Sequence, residues 1–101
     1  MAYKVSITPL TFLEIDEAIF WYEKQLPKLG QRFLIELNKR INKIQEKPEN
    51  YLLIYPPVRR TILKKFPYKL YYIVKDKSEI VIIALLHVKR SNRYISQRIK
   101  Q

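Results

Sequence analysis

The chain has 101 residues, 48% of them hydrophobic, which is enough for one modest core and too much for a disordered tail. One Gly excludes a Gly-rich phosphate loop, no Cys excludes disulfides, thiol catalysis and thiolate metal sites, and one His leaves no self-sufficient zinc site. Lys and Arg number 20 against 9 Asp and Glu, a net charge of +11 that favours a polyanionic partner, although a Lys-rich solvated surface is the plainer alternative.

The opening "YKVSIT" alternates and is β-prone, so residues 3–7 read as a short strand ended by Pro9. Thr11 and Glu14 are spaced as a capping box, with Leu10 and Ile15 at staple positions around it. Ile15, Ala18, Ile19, Tyr22 and Leu26 then recur at helical spacing, and Phe20 and Trp21 widen the stripe into an expected helix–sheet core. "LPKLG" breaks the chain. A second amphipathic helix follows, with Phe33, Leu34, Leu37, Ile41 and Ile44 on one face, and Pro48 stops it. Two such helices on a short link predict an antiparallel hairpin.

After Asn50 the period becomes strand-like. "RRTILKKF" reads as a charged edge strand, "YKLYYIVK" as a strand with Leu70, Tyr72 and Val74 on one face and Tyr71 and Ile73 on the other, and "DKSE" as a turn. "IVIIALLHV" is apolar on both faces and is expected at the centre of the sheet. Strict alternation puts His87 with Val81, Ile83 and Leu85, and Arg90 on the other side with Leu86 and Val88. The pattern β-α-α-β-β-β predicts a single α+β domain over residues 1–101, with the helix hairpin packed on one face of a small, mostly antiparallel sheet. The longest apolar run, Ile80–Leu86, is far short of a membrane span, and "MAYKVSITPL" lacks the apolar region of a signal peptide, so no membrane partner and a cytoplasmic location are expected.

The charge is uneven. Residues 1–50 carry eight basic and seven acidic side chains, net +1, and residues 51–101 carry twelve and two, net +10. Within the second half, Arg59 and Arg60 open a strand facing opposite sides, and read equally as charge that protects a sheet edge or as a binding pair. Arg93 and Arg98 read as surface charges useful for long-range attraction, and His87, at the end of an apolar strand, as a hydrogen-bonded structural histidine before a base.

"EA..WYE", "P.LG..F...L...I..I...P", "RR..L..FPY...Y" and "H..R" stand in this order over nearly the whole chain. With these spacings the sequence resembles the RelE/ParE superfamily of toxins from bacterial type II toxin–antitoxin systems, closer to the ParE-like (plasmid stabilisation) side. The resemblance implies the same β-α-α-β-β-β fold and a growth-inhibiting toxin neutralised by a cognate antitoxin, with DNA contact only through the antitoxin complex. No cofactor and no metal are expected, with one His and no Cys in the chain. ParE-like members poison DNA gyrase, whereas RelE-like members enter the ribosome and cut mRNA.

Metal-free RNA cleavage needs a base for the 2′ proton, an acid for the leaving oxygen and cations for the phosphorane. On the RelE-like pattern the catalytic set is Arg60, Lys69, His87, Arg90 and Tyr94. Lys69 stands where those members carry an arginine, Ile62 where they can carry a second lysine, and Tyr94 is closer to Arg90 than their C-terminal tyrosine is. As a binding surface the expected set is Arg59, Arg60, Lys64, Lys65, Arg90 and Arg93. A gyrase-binding toxin comes first, a ribosome-dependent endonuclease second, and a non-toxic basic module for nucleic acid or ribosomes third.

Overall fold

The computed structural model describes residues 3–99. Strand β1 (Lys4–Ile7) leads into helices α1 (Pro9–Gln25) and α2 (Leu29–Glu46), then a short 3-10 turn at Pro48–Asn50. Strands β2 (Leu52–Tyr55), β3 (Val58–Ile62), β4 (Tyr68–Lys75) and β5 (Glu79–His87) follow, and helix α3 (Arg93–Ile99) crosses back. The sheet order is β1-β5-β4-β3-β2, antiparallel except where β1 runs parallel to β5. The expected α+β arrangement stands, with one further strand and a third helix. Strand β2 was hidden because "YLLIYPP" does not alternate and its Pro pair reads as a breaker; Pro56 and Pro57, joined by a cis peptide bond, are the turn into β3. Arg59 and Arg60 therefore sit on an inner strand, not at an edge, and the middle strand is β4, with β5 beside it. No helix among the described residues is long and apolar enough to cross a membrane.

Helix α1 begins at Pro9, earlier than the capping box predicts. Thr8 is the N-cap, and its hydroxyl accepts the Thr11 amide at 3.3 Å. That frees Glu14 for another task, described below. The link to α2 is three residues long, with Lys28 in the left-handed region at φ 73°. Glu23 near the end of α1 accepts the amides of Lys28 (2.9 Å) and Gly30 (3.0 Å), so one helix caps the open donors of the next.

The helices cover one sheet face. Ile15, Ala18, Phe33, Leu37 and Ile44 pack against Leu70, Tyr72, Ile80, Ile82 and Leu85. Tyr22, Phe33, Phe66 and Tyr68 add an aromatic cluster with most centroids 4.9–5.4 Å apart. Trp21 and Phe20 lie outside this core, 55% and 63% exposed, because α1 turns only one narrow face inward. The second face is smaller. Val58, Tyr71, Ala84 and Leu86 pack under Ile95 of α3, flanked by Ile54, Ile73 and Ile83. Fully burying Ile95 contributes about 2 kcal/mol toward holding α3 down.

The two faces of β4 alternate as predicted. Those of β5 do not. Tyr71 pairs with Ala84 and Tyr72 with Ile82, so Ile83 is a bulge residue. Beyond it the parity reverses. His87 shares its side with Leu85, Ile82 and Ile80, while Ile83 and Ala84 join Leu86 opposite. Strand β1 pairs only as far as Ile82, which leaves the outer edge of β5 open from Ile83 onward. Side chains close it. Glu14 accepts the Leu85 amide at 3.0 Å, and Arg98 donates to the Ile83 carbonyl at 3.0 Å. Glu14 and Arg98 also meet each other in a two-bond ion pair at 2.8 and 2.9 Å. Arg98, expected on the surface, is thus a structural clamp whose side chain is only 20% exposed.

Two stability predictions follow from this packing. Gly30 faces α1 so closely that an added Cβ would come 2.6 Å from the Ile19 carbonyl oxygen, which is backbone and cannot rotate away. Gly30→Ala should lower unfolding free energy by about 1–3 kcal/mol in urea titration. Arg98→Met should cost about 2 kcal/mol, less than a fully buried pair, because a fifth of each side chain is wet. Amide exchange in α3 should accelerate in that variant while exchange in β4 holds.

Candidate functional site

The five predicted catalytic residues divide between two neighbouring places. The first is the sheet face under α3. Arg60 pairs with Tyr71 and Ile62 with Lys69 across β3 and β4, and this register sets Arg60, Lys69 and Tyr71 side by side on that face. Lys69 is buried, 6% exposed. Its ammonium donates to the Arg90 carbonyl and lies 5.8 Å from the Tyr71 ring centroid. The Tyr71 hydroxyl donates to the Asn92 side-chain carbonyl at 2.5 Å. Lys69 and Tyr71 are therefore both occupied in holding the segment that follows β5.

The electrostatics follow from this crowding. Burial, and then the Arg60 guanidinium, lower the Lys69 pKa from its ordinary 10.5. Burial raises the Tyr71 phenol above 10, and Arg60 pulls the other way. Arg60 Nε is buried without a hydrogen-bond partner among the described residues. A cation in this state favours an anion at the mouth of the site. Ile62, 46% exposed, places an apolar side chain beside Lys69.

The second place is the open edge of β5. There His87, Arg90 and Tyr94 line a groove with Glu14, Trp21 and Tyr68. The Arg90 guanidinium rests on the Tyr94 ring at 4.9 Å, and its own side chain is exposed. His87 stands edge-on to Tyr68 at 5.4 Å, and its Nδ1 accepts the Lys89 amide at 3.2 Å. Nδ1 acting as acceptor puts the proton of the neutral ring on Nε2. His87 thus braces the turn that leads to Arg90.

Other predicted residues lie elsewhere. Arg59 projects to the helix side and donates to the carbonyls of Glu49 (3.1 Å) and Tyr51 (2.8 Å), tying the 3-10 turn to β3. Lys64 and Lys65 line a surface with α2. Arg93 is exposed at the start of α3, where the Ser91 hydroxyl accepts its amide at 3.1 Å. Tyr71, Asn92, Glu14 and Arg98 were absent from the expected site. Period-two spacing from Lys69 marks Tyr71. Nothing local marks Asn92, Glu14 or Arg98, whose partners are 21 to 84 residues away. Among the described residues no group of three or more His, Asp or Glu is placed to hold a metal ion.

The lowered Lys69 pKa carries a pH signature. Between its folded pKa and 10.5 the unfolded chain binds the extra proton, so stability rises with pH through that window. Below the window the buried charge is a constant penalty. Lys69→Met lacks the penalty, so any advantage of the variant in urea midpoint should shrink as pH rises toward 10.5. A difference independent of pH over that interval would contradict the assignment.

Compared with known families, residues 5–92 match the ParE toxin of type II toxin–antitoxin system, parDE. The match stops just before α3. No curated protein matches the chain. Among solved structures, a chain from the chromosomal ParDE TA system from P. aeruginosa superposes with a TM-score of 0.76 at 17% identity, covering 87% of this chain and 98% of its own. The isolated E. coli RelE toxin gives 0.64 at 24% identity, covering 98% and 97%. RelE–RelB from Pyrococcus horikoshii OT3 gives 0.52 at 20% identity, covering 90% and 100%. At these identities the likeness shows a shared fold. The family match spans most of the chain and includes Arg60, Lys69, His87 and Arg90, and on it the protein belongs to the ParE toxin family of type II toxin–antitoxin systems.

Proposed function

We propose that this protein is a growth-inhibiting toxin held inactive by a cognate antitoxin, and that it acts in the cytoplasm by binding DNA gyrase and not by cutting RNA. The observation that supports binding over cleavage is the engagement of Lys69 and Tyr71. Lys69 donates to the Arg90 carbonyl and Tyr71 to Asn92, so both are engaged in holding the segment after β5. His87, the one imidazole of the chain, lines the other groove. An acid and a base within reach of one phosphate are therefore not assembled. The resemblance to ParE-like members, which poison DNA gyrase, supports gyrase as the target. An antitoxin partner accords with the solved relatives, which include a ParDE TA system and a RelBE toxin–antitoxin complex.

The rival reading is a ribosome-dependent mRNA endonuclease using Arg60, Lys69, Arg90, His87 and Tyr94. One observation favours it: the Arg90 carbonyl ties Lys69 to the segment bearing Arg90 and Tyr94, so the two places are adjacent. A non-toxic module for nucleic acid or ribosomes is the third reading.

Controlled expression in a bacterial host separates them. Chromosomal DNA breaks and an SOS response with intact mRNA are expected. Cuts at ribosomal A sites would make the protein an RNase, and no growth arrest at all would leave the non-toxic module. Arg60→Ala with Arg90→Ala should abolish arrest while costing about 1 kcal/mol, a melting shift of about 4–8 °C. Full toxicity in that double variant would remove both residues from the working surface.

A further inference from the structure

A second basic surface lies on the opposite side of the molecule from Arg60 and Lys69. Lys39, Arg40 and Lys43 of α2 line an open trough with Lys64 and Lys65 of the loop between β3 and β4. Lys39 and Lys43 are one helical turn apart on the same face. Lys65 is held in the left-handed region at φ 72°, a conformation that a Lys does not favour. Glu36 is the one carboxylate in the lining. It is shared between Lys39 at 3.5 Å and Lys65 at 3.8 Å. Arg40, Lys43 and Lys64 have no carboxylate within ion-pair distance among the described residues.

Five cations gathered from two parts of the chain repel one another, and solubility alone does not require them to converge. The lining identifies the anion that would offset the repulsion. All six side chains are charged, so the trough lacks the apolar floor on which an acidic peptide would anchor. It carries no aromatic ring on which unpaired bases would stack. Its one acceptor, Glu36, is held by Lys39 and Lys65, so no free acceptor faces a 2′-hydroxyl. What remains is charge along a rigid helix, which suits the evenly spaced phosphates of a duplex.

We propose that this trough binds the phosphodiester backbone of duplex DNA, without sequence preference, from the toxin chain itself. The family resemblance implied DNA contact only through the antitoxin complex; the trough would give the toxin its own. The proposal goes beyond the toxin reading and does not rest on it, since its test reads binding and no growth arrest.

The experiment is fluorescence anisotropy of the full chain with a labelled 20-bp duplex of arbitrary sequence, over a series of salt concentrations. The probe length is about two helical turns. Lys39→Gln/Lys43→Gln/Lys64→Gln removes three cations at exposed positions while keeping helix propensity, and circular dichroism checks the fold. The triple variant should bind at least about tenfold more weakly at low salt. The slope of log affinity against log salt should fall by about 2–3. Arg60→Gln/Arg90→Gln should change affinity less than about twofold. The reverse pattern, with the triple variant unaffected and the sheet-face variant lost, would overturn the site. Tighter binding of single strands, of duplex RNA by about tenfold, or of poly-glutamate through the same three lysines would overturn the duplex DNA assignment.

Discussion

Strand β1 is four residues long and β5 is nine, and much of the molecule answers to that inequality. Past Ile82 the outer edge of β5 has no strand beside it, so its amides and carbonyls need other partners. Glu14 takes the Leu85 amide and Arg98 the Ile83 carbonyl, and their mutual ion pair joins α1 to α3 across the gap. Once α3 is held there, Asn92 and the Arg90 carbonyl fall above Tyr71 and Lys69. The state of the polar groups on the sheet face is thus a consequence of how the edge is closed.

Much of the architecture could be read from the residues. The helix stripes through Ile15 and Ala18 and through Phe33, Leu37 and Ile44 are where periodicity places them, and the two faces of β4 alternate as drawn. The turn after β4 needed no Gly: Asp76 and Lys77 take positive φ angles of 54° and 58°. What escaped was either a break in period or a distant pairing. The bulge at Ile83 leaves no mark in a run of Ile, Val and Leu, yet it reverses every face assignment that follows. Glu14 looked like half of a capping box because its true partner is 84 residues away. Trp21 was read as core because large aromatics usually are, but the inward face of α1 is already filled by Ile15 and Ala18.

The charge asymmetry needed three dimensions as well. The split between the halves, +1 against +10, points to one basic end. Folding instead makes two basic surfaces, one of which joins Lys64 and Lys65 to cations from the nearly neutral half. Arg59 and Arg60 show the same principle over one peptide bond. Arg59 is consumed in holding the 3-10 turn, while Arg60 stands over Tyr71 on the other side.

The clamp between Glu14 and Arg98 also sets when the fold can exist. Synthesis makes β1 and both hairpin helices before β5, and β1 has no strand to pair with until residues 79–82 have been added. Glu14 then waits for Arg98, almost the last residue described. Contacts of such long sequence separation form late. A nascent chain therefore carries an unfinished sheet until β5 and α3 have been added, and Lys69 and Tyr71 acquire their Arg90 and Asn92 partners only after β5 is made. The polar groups of the sheet face thus find their partners later than the helix hairpin finds its own.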